Sequence, residues 1–179
     1  MASEAFTVRF DTTKGDFDVR VHPEWAPKGA DRIRELVESG FYDDAIFFRV
    51  LAGFVAQFGI SGAPEVGAEW RNKPIEDDPV EASNTKGRLT FAMAGPNSRT
   101  TQLFINLADN TSLDDMGFAP VGEVVDGMDI VESLHSGYGE GAPRGNGPNQ
   151  TEIHREGNAY LRKNFPELDK IKRAEIIAP

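Results

Sequence analysis

The side chains with the clearest chemical potential stand inside the most apolar stretch of the chain, IFFRVLAGFVAQFG, from Ile46 to Gly59. Arg49 and Gln57 are its two polar members, set among aromatic and aliphatic residues. A guanidinium is a rigid, permanently charged fork of N–H donors, and a glutamine amide both donates and accepts hydrogen bonds. Either these groups lie on the outer face of a half-buried strand, or they point into an apolar pocket.

A second apolar stretch, FAMAGPNSRTTQLFIN, contains a similar exception, because Gln102 stands directly before the run LFI. In the first stretch Gly53 interrupts the alternation of a strand and is expected to bend it. A simple outer face therefore does not collect both Arg49 and Gln57. Two glutamines and an arginine beside several phenylalanines suggest a shallow apolar pocket rimmed by hydrogen-bond donors. On these residues alone, a pocket and solvent-facing polar groups stay equally open.

Other catalytic arrangements find little support. The histidines His22, His135 and His154 are far apart and match no metal-binding spacing. Three pairs of adjacent acids stand in turn-like contexts, where neighbouring carboxylates point apart: Asp43-Asp44, Asp77-Asp78 and Asp114-Asp115. The sequence has no Gly-x-Ser-x-Gly motif and no cysteine, which leaves a serine-hydrolase elbow unsupported and excludes thiolate chemistry. We expect neither a metal nor a cofactor.

Composition and charge narrow the class of protein. The 179 residues are 39% hydrophobic and 27% charged, which is typical of one soluble globular domain. The formal net charge of −10 disfavours nucleic acid and membranes as partners, since both attract basic surfaces. No stretch approaches the roughly 20 apolar residues that span a bilayer, and the N-terminal residues show no secretory signal. Cytoplasm is the default expectation, with the periplasm or secretion if a signal was trimmed.

Short strands dominate the elements that must position the polar side chains. Residues 6–22 alternate apolar and polar on both sides of a turn at Gly15, which predicts a hairpin. Residues 23–40 and 126–134 have helical spacing. Further strands are predicted within residues 41–50, 53–59, 87–95, 101–108, 118–125 and 170–177. Many short strands with two or three helices favour an antiparallel barrel or sandwich.

Two stretches interrupt this pattern. Residues 60–83 are rich in glycine, proline and acids, and they are predicted to form a long surface loop. Residues 136–149, SGYGEGAPRGNGPN, are also predicted to be a loop, because their glycines miss the spacings of phosphate-binding motifs. A short amphipathic segment follows before the final strand.

Three segments resemble the signature of the cyclophilins. FFRVLAGFVAQFG is similar to that family's Phe-His-Arg-Val, Gly-Phe and Gln-x-Gly sequence. FAMAGPNSRTTQLFIN resembles its Met-Ala-x-Ala-Gly-Pro-Asn and Ser-Gln-Phe-Phe-Ile segments. LDDMGFAPVGEVVDGMDIVESL resembles its Leu-Asp, Phe-Gly-x-Val and Gly-Met-Asp-Val-Val region. Order and spacing agree from about Phe6 to Leu134, and KIKRAEII fits the family's C-terminal strand.

The resemblance implies a mainly β fold: a closed eight-stranded antiparallel barrel capped by two α-helices. It implies a single cyclophilin-like domain over residues 1–179, with a loop and helix extension at 136–166 inserted before the last strand. It also implies a monomeric peptidyl-prolyl cis–trans isomerase that assists folding by acting on proline-containing peptides and unfolded proteins. The implied catalytic residues are Arg49, Phe54 and Gln57, and the implied substrate-binding residues are Val55, Ala92, Met93, Gln102, Phe104 and Leu113.

The chemistry explains why such residue types are needed. An X-Pro bond rotates over a barrier of about 18–20 kcal/mol because its amide has partial double-bond character. A donor to the prolyl nitrogen favours the twisted state, in which the amide resonance is lost, and Arg49 is suited to this. The donor is catalytic only if it binds the twisted state better than the planar isomers. No proton has to move to a base.

The sequence also departs from the family pattern. Phe48 stands where the family has histidine, and we expect activity to survive this change. Ser112 aligns with a tryptophan that the family uses to bind cyclosporin, and a further family histidine has no clear counterpart near residues 116–118. Weak or no cyclosporin binding is therefore expected. An alternative to the enzyme is a module that binds proline segments with little or no turnover.

Overall fold

The computed structural model describes residues 4–178. In chain order the elements are β1 (Phe6–Thr12), β2 (Gly15–Val21), α1 (Pro27–Glu38), β3 (Arg49–Leu51), β4 (Val55–Phe58), α2 (Pro64–Arg71), β5 (Arg88–Phe91), β6 (Leu103–Asn106), a 3₁₀-helix (Thr111–Met116), β7 (Pro120–Asp126), α3 (Met128–Glu132), α4 (Gln150–Glu156), α5 (Asn158–Asn164) and β8 (Ile171–Ala178). Among these residues, no helix has both the length and the apolar character needed to cross a membrane.

Eight antiparallel strands form one sheet in the order β3-β4-β6-β5-β7-β2-β1-β8. The predicted hairpin is present as β1 and β2, with Phe10 opposite Phe17. Their rings stack with centroids 5.0 Å apart and lie in the core. Alternation puts these side chains on the inner face of the curled sheet. The mainly β prediction is confirmed.

The two edges of the sheet are joined less completely than in a closed barrel. The two ends of the strand order meet just before β3 and just before β8. There the Phe47 N–H donates to the Asp169 carbonyl at 2.9 Å, and the Ile171 N–H donates to the Ala45 carbonyl at 2.7 Å. Because this junction is short, the sheet is a curled half-barrel and not the fully closed barrel that was expected.

Helix α1 covers one side of the sheet, as its spacing predicts. It begins at Pro27, whose fixed φ suits the first helical position. Ala30, Ile33, Leu36 and Val37 are buried against the core. Removing such side chains from water stabilises the fold by roughly 1.5–3 kcal/mol for each Val, Leu or Ile. The second predicted helix is the short α3.

The structure also corrects the sequence prediction within residues 41–50 and 60–83. The strand predicted within residues 41–50 is confined to Arg49–Leu51, because residues 41–44 form turns. The stretch at 60–83, predicted as a loop, contains α2. Trp70 of this helix packs edge-on against Phe41, with ring centroids 5.9 Å apart. Tertiary packing stabilises short helices of this kind more than propensity does, which is why the sequence pattern did not reveal it.

The extension at residues 136–166 consists of a loop followed by α4 and α5. It packs onto the barrel through an apolar cluster. Ile46, Phe48 and Ile60 supply the barrel side of this cluster, while Ile153 and Leu161 supply the extension side. All five side chains are buried, so the extension is part of the folded body around β3 and β4.

The corner between α4 and α5 is fixed by a close backbone approach. Gly157 has φ 65° and lies so near the Gly62 carbonyl that a Cβ atom there would overlap it. The Asn158 N–H donates to the same carbonyl at 3.1 Å, and the Asn158 side-chain amide donates to the Asp44 carbonyl at 2.7 Å. A side chain at position 62 would in turn collide with Asn158. Both glycines are therefore required by this contact.

Candidate active site

A cleft of about 500 Å³ opens beside β3, β4 and β6, a size common for ligand sites of roughly 300–1,000 Å³. Eight residues singled out from the sequence line it: Arg49, Phe54, Val55, Gln57, Ala92, Met93, Phe104 and Leu113. Gln102 joins the group through a hydrogen bond to Gln57. The opposite wall comes from the extension, through residues 140–144 and 148–151. The structure thus brings together the side chains predicted for one site.

The strand register brings the polar side chains of the cleft next to one another. Arg49 on β3 lies opposite Gln57 on β4, and Gln57 lies opposite Phe104 on β6. Directly opposite residues share one face of a sheet. The Arg49 Nη1 donates to the Gln57 Oε1 at 3.0 Å, and the Gln57 Nε2 donates to the Gln102 Oε1 at 2.9 Å. Gln57 is buried, which decides the question left open by the sequence in favour of a pocket.

Aromatic side chains make the apolar part of the cleft. Phe104 is buried and meets Phe118 edge-on, with ring centroids 5.7 Å apart. Phe54 is 37% exposed, and its ring centroid lies 5.9 Å from the Arg49 guanidinium carbon. Phe118 also lines the cleft, although the sequence did not mark it as a site residue. A compact apolar ring could therefore rest between phenylalanine faces within reach of the guanidinium.

Leu113 is held at the cleft by a polar network behind the 3₁₀-helix. Asp114 accepts hydrogen bonds from the Ser83 hydroxyl and from the backbone and side chain of Asn84. The Asn84 amide also donates to the Phe118 carbonyl at 2.9 Å. Burial raises the pKa of Asp114, but these hydrogen bonds favour the carboxylate more, and its pKa is lowered. The network fixes the backbone on which two cleft residues stand.

The main surprise in the cleft is Glu140. The Arg49 Nε donates to the Glu140 Oε1 at 2.7 Å, and the Arg49 Nη2 donates to the Glu140 Oε2 at 2.8 Å. These hydrogen bonds, with one from the Gly141 N–H, lower the pKa of Glu140 to about 2, although burial acts in the opposite direction. The carboxylate is thus ionised at neutral pH. No spacing rule could have found it, because the two residues lie 91 positions apart.

Phe48 now has a structural explanation. It lines the cleft, but its ring is only 2% exposed and belongs to the apolar cluster beneath the extension. A histidine at this position would place a polar ring among aliphatic side chains. The phenylalanine therefore suits this position because the extension packs on it. Ser112, the other noted departure, is exposed at the start of the 3₁₀-helix, directly before Leu113.

The cleft offers no ready set of metal ligands. Within residues 4–178, no three histidine or carboxylate side chains come close enough together to hold an ion. The chemistry available here is hydrogen-bond donation from a fixed guanidinium and two amides beside an apolar surface. Such a site can bind and distort a substrate without covalent bond formation.

Comparison with known proteins identifies consistent relatives. The family model described as cyclophilin type peptidyl-prolyl cis-trans isomerase/CLD matches residues 7–155. Peptidyl-prolyl cis-trans isomerase B of Escherichia coli (strain K12) is 34% identical over 136 residues, covering 71% of this chain and 82% of that protein. A peptidyl-prolyl cis-trans isomerase of Acinetobacter baylyi is 33% identical over 139 residues, covering 71% of this chain and 70% of that protein.

Solved structures agree on the fold. The crystal structure of a cyclophilin type peptidyl-prolyl cis-trans isomerase from Cryptosporidium parvum superposes with a TM-score of 0.68 at 21% identity. The match covers 98% of this chain and 99% of that one. A second structure of the same protein, in the presence of the dipeptide Ala-Pro, gives a TM-score of 0.67 at 21% identity, with 97% and 99% covered. At this identity the likeness speaks for the fold alone.

Proposed function

The chain belongs to the cyclophilin-type peptidyl-prolyl cis-trans isomerase family, and we propose that it catalyses rotation about X-Pro bonds with Arg49 as the donor to the prolyl nitrogen. The observation that carries this proposal is the fixed guanidinium beside an apolar cleft. Three of its five N–H groups donate to Gln57 and Glu140 within the described residues, which leaves two for a substrate.

The mechanism follows from amide resonance. In either planar isomer the nitrogen lone pair is delocalised, whereas in the twisted state it is localised and accepts a hydrogen bond. A donor that engages the nitrogen only in the twisted state lowers the barrier without stabilising the ground states equally. A guanidinium is permanently charged in proteins, so the rate is expected to depend little on pH near neutrality. The step needs neither a nucleophile nor a base.

The remaining side chains hold the two halves of the substrate. Phe104, Phe118 and Leu113 form the apolar surface that would bind the pyrrolidine ring. The Gln102 Oε1 already accepts from Gln57, so its Nε2 is the end left to donate to the substrate carbonyl. Ala92 would leave room for the residue before proline. With the pyrrolidine ring held by the apolar surface, the carbonyl group before proline can rotate about the X-Pro bond.

The proposed substrates are proline-containing peptides and unfolded proteins. One of the fold neighbours was solved in the presence of the dipeptide Ala-Pro, which agrees with an apolar cleft of this size. We also propose that the protein acts as a monomer. We propose that it binds cyclosporin weakly, since Ser112, exposed directly before the cleft residue Leu113, offers no aromatic surface. The cytoplasmic location expected from the sequence stays a prediction.

A protease-coupled isomerase assay on an X-Pro peptide tests the role of Arg49. Replacing it by alanine is expected to lower kcat/KM by ~10²-fold or more, as for the loss of one fixed donor at other enzyme sites. Arg173→Ala, which removes an exposed arginine on β8, serves as the control and should match the wild type. Equal rates for Arg49→Ala and wild type would overturn the proposal, while peptide binding without turnover in the wild type would favour a binding module.

A further inference from the structure

We infer that Glu140 is a positioning residue for the isomerase reaction, which holds the guanidinium of Arg49 in the orientation that meets the prolyl nitrogen. The inference rests on the role proposed for Arg49 and extends it to a residue on the opposite wall of the cleft. Glu140 touches Arg49 and acts through it.

The first argument is the geometry of the pair. The carboxylate accepts hydrogen bonds from the Nε and Nη2 of the guanidinium, at 2.7 and 2.8 Å. The Gln57 Oε1 accepts a hydrogen bond from Nη1 at 3.0 Å. Bidentate pairing of this kind fixes the plane of the guanidinium as well as its position. An arginine held from two sides keeps little of the rotational freedom that its long side chain would otherwise have.

The second argument is that the pair leaves the reactive donors available. Glu140 and Gln57 use one hydrogen on each of the three guanidinium nitrogens. Among residues 4–178, Nη1 and Nη2 therefore each keep one. These two hydrogens leave the guanidinium able to donate to a substrate while it is paired with Glu140. The contact therefore fits a role in orienting Arg49 during turnover better than one in switching the site off.

The third argument is the rigidity of the support. The loop around Glu140 is tied to itself, since the Gly147 N–H donates to the Glu140 carbonyl at 2.8 Å and the Ala142 N–H donates to the Gly147 carbonyl at 3.1 Å. Gly147 and Pro148 are buried. Helix α4 follows directly and buries Ile153 against the barrel. A carboxylate mounted in this way can hold its partner within the small tolerance that preorganised sites require.

Charge supports the same conclusion. Glu140 has a pKa of about 2, so the carboxylate stays ionised over the range in which enzymes are assayed. The side chains are 23% exposed for Arg49 and 34% exposed for Glu140, so water screens the pair only in part. Replacing the carboxylate by an amide of the same shape removes the charge and one of the two acceptors, because an amide nitrogen cannot accept from the guanidinium. The bidentate pair is then lost, and the guanidinium should be held less firmly.

Glu140→Gln tests this role with Glu156→Gln as the matched control. Glu156 lies in the same extension and is exposed, and among residues 4–178 its carboxylate forms an ion pair only with Arg155, at 3.8 Å. We expect Glu140→Gln to lower kcat by about 10- to 100-fold, as for other small misplacements of catalytic groups. KM should change little, because the apolar surface that binds proline is intact. In an Arg49→Lys background the same substitution should add no further loss, since lysine cannot make the bidentate pair.

A spectroscopic measurement on the wild type keeps the test independent of how variants fold. The Arg49 Nε–H should give a resolved, slowly exchanging ¹H–¹⁵N signal in the wild type and in Glu156→Gln. In Glu140→Gln, where at most one of the two hydrogen bonds to residue 140 remains, the same N–H should exchange faster. Absence of a protected Arg49 Nε–H in the wild type would overturn the inference. So would a Glu140→Gln enzyme whose kcat equals or exceeds that of the wild type, an increase indicating a gate instead. If Arg49→Ala were fully active, the proposed function would fail first, and separately.

Discussion

The backbone N–H and the side-chain amide of Asn84 donate to one carboxylate oxygen of Asp114, at 2.8 and 2.7 Å. The Asn84 Oδ1 in turn accepts from the Thr90 hydroxyl at 2.7 Å. One fully buried asparagine thus ties the 3₁₀-helix that carries Leu113 to strand β5. The apolar wall of the cleft depends on this polar tie, which lies outside the cleft itself.

Asp114→Asn should weaken that tie. An asparagine has one accepting oxygen in place of two, so it can accept from Asn84 or from the Ser83 hydroxyl but not from both. Removing one partner of such a hydrogen bond costs about 1–3 kcal/mol. We expect a free energy of unfolding lower by that amount in urea titrations, together with a raised KM because Leu113 loosens. The neighbouring Asp115→Asn removes an equal charge from an exposed position and should behave as wild type. Indistinguishable unfolding curves for the two variants would contradict the prediction.

Phe48→His should destabilise the protein by restoring the residue typical of the family. The ring is 2% exposed and packs among Ile46, Ile60, Ile153 and Leu161, and burying a polar group without a partner costs about 1–3 kcal/mol in proteins. Urea unfolding of the variant measures this directly. Phe48→Leu keeps the site apolar and should lose less. A histidine variant as stable as the wild type would show that the cluster accepts a polar ring.

Acid should loosen the contact between α4 and α2. The Arg71 Nη1 lies 2.7 Å from the His154 Nδ1, a geometry in which arginine donates to a neutral imidazole. Burial, followed by the charge of Arg71, lowers the pKa of His154 below its usual 6.5. The unfolded chain therefore binds this proton more readily, so stability is full above about pH 6.5 and falls as the pH drops through that value.

The measurement is the free energy of unfolding at several values between pH 8 and pH 5. His154→Gln should show a smaller loss over this range than the wild type, because glutamine does not titrate. Arg71→Met should also reduce the loss by removing the repelling charge. If His154→Gln kept the whole pH dependence, other groups would have to account for it.

Cyclosporin should bind weakly, and a single substitution should strengthen the binding. Ser112 is exposed and directly precedes the cleft residue Leu113, and it aligns with the family's tryptophan. Ser112→Trp adds an aromatic surface there and should lower the inhibition constant by about tenfold, or roughly 1.4 kcal/mol. The equally exposed Thr111→Trp controls for a general gain in apolar surface. Nanomolar inhibition of the wild type would refute the prediction.

The sequence predicted the barrel half of the site because that half follows local rules. Strand alternation and register bring Arg49, Gln57 and Phe104 to one face, and a motif of fixed spacing carries such information. The β1–β2 hairpin was readable from period-two alternation, and further strands from their aromatic and β-branched residues, although β3 is shorter than the strand predicted within residues 41–50. The polar pair inside an apolar run was a correct signal, although only the matching second stretch and the family resemblance gave it a meaning.

The extension half could not be predicted in the same way. Glu140 reaches Arg49 through a loop whose path depends on its own hydrogen bonds and on helices that dock elsewhere. Helix α2 was missed because its apolar side chains find their partners only in the folded protein. Phe48 looked like one more core residue or a changed catalytic neighbour, and its real partners lie more than a hundred positions away, at Ile153 and Leu161.

The close approach of Gly62 and Gly157 implies that these positions evolve together. Each glycine is required by the other segment: a Cβ at 157 would overlap the Gly62 carbonyl, and one at 62 would overlap the Asn158 side chain. A relative that lacks the extension has no such reason to keep a glycine at the position of Gly62. Variants of this chain that retain both helices are expected to keep Gly62, Gly157 and Asn158 as a set, because this contact fixes the corner between α4 and α5 behind the second wall of the cleft.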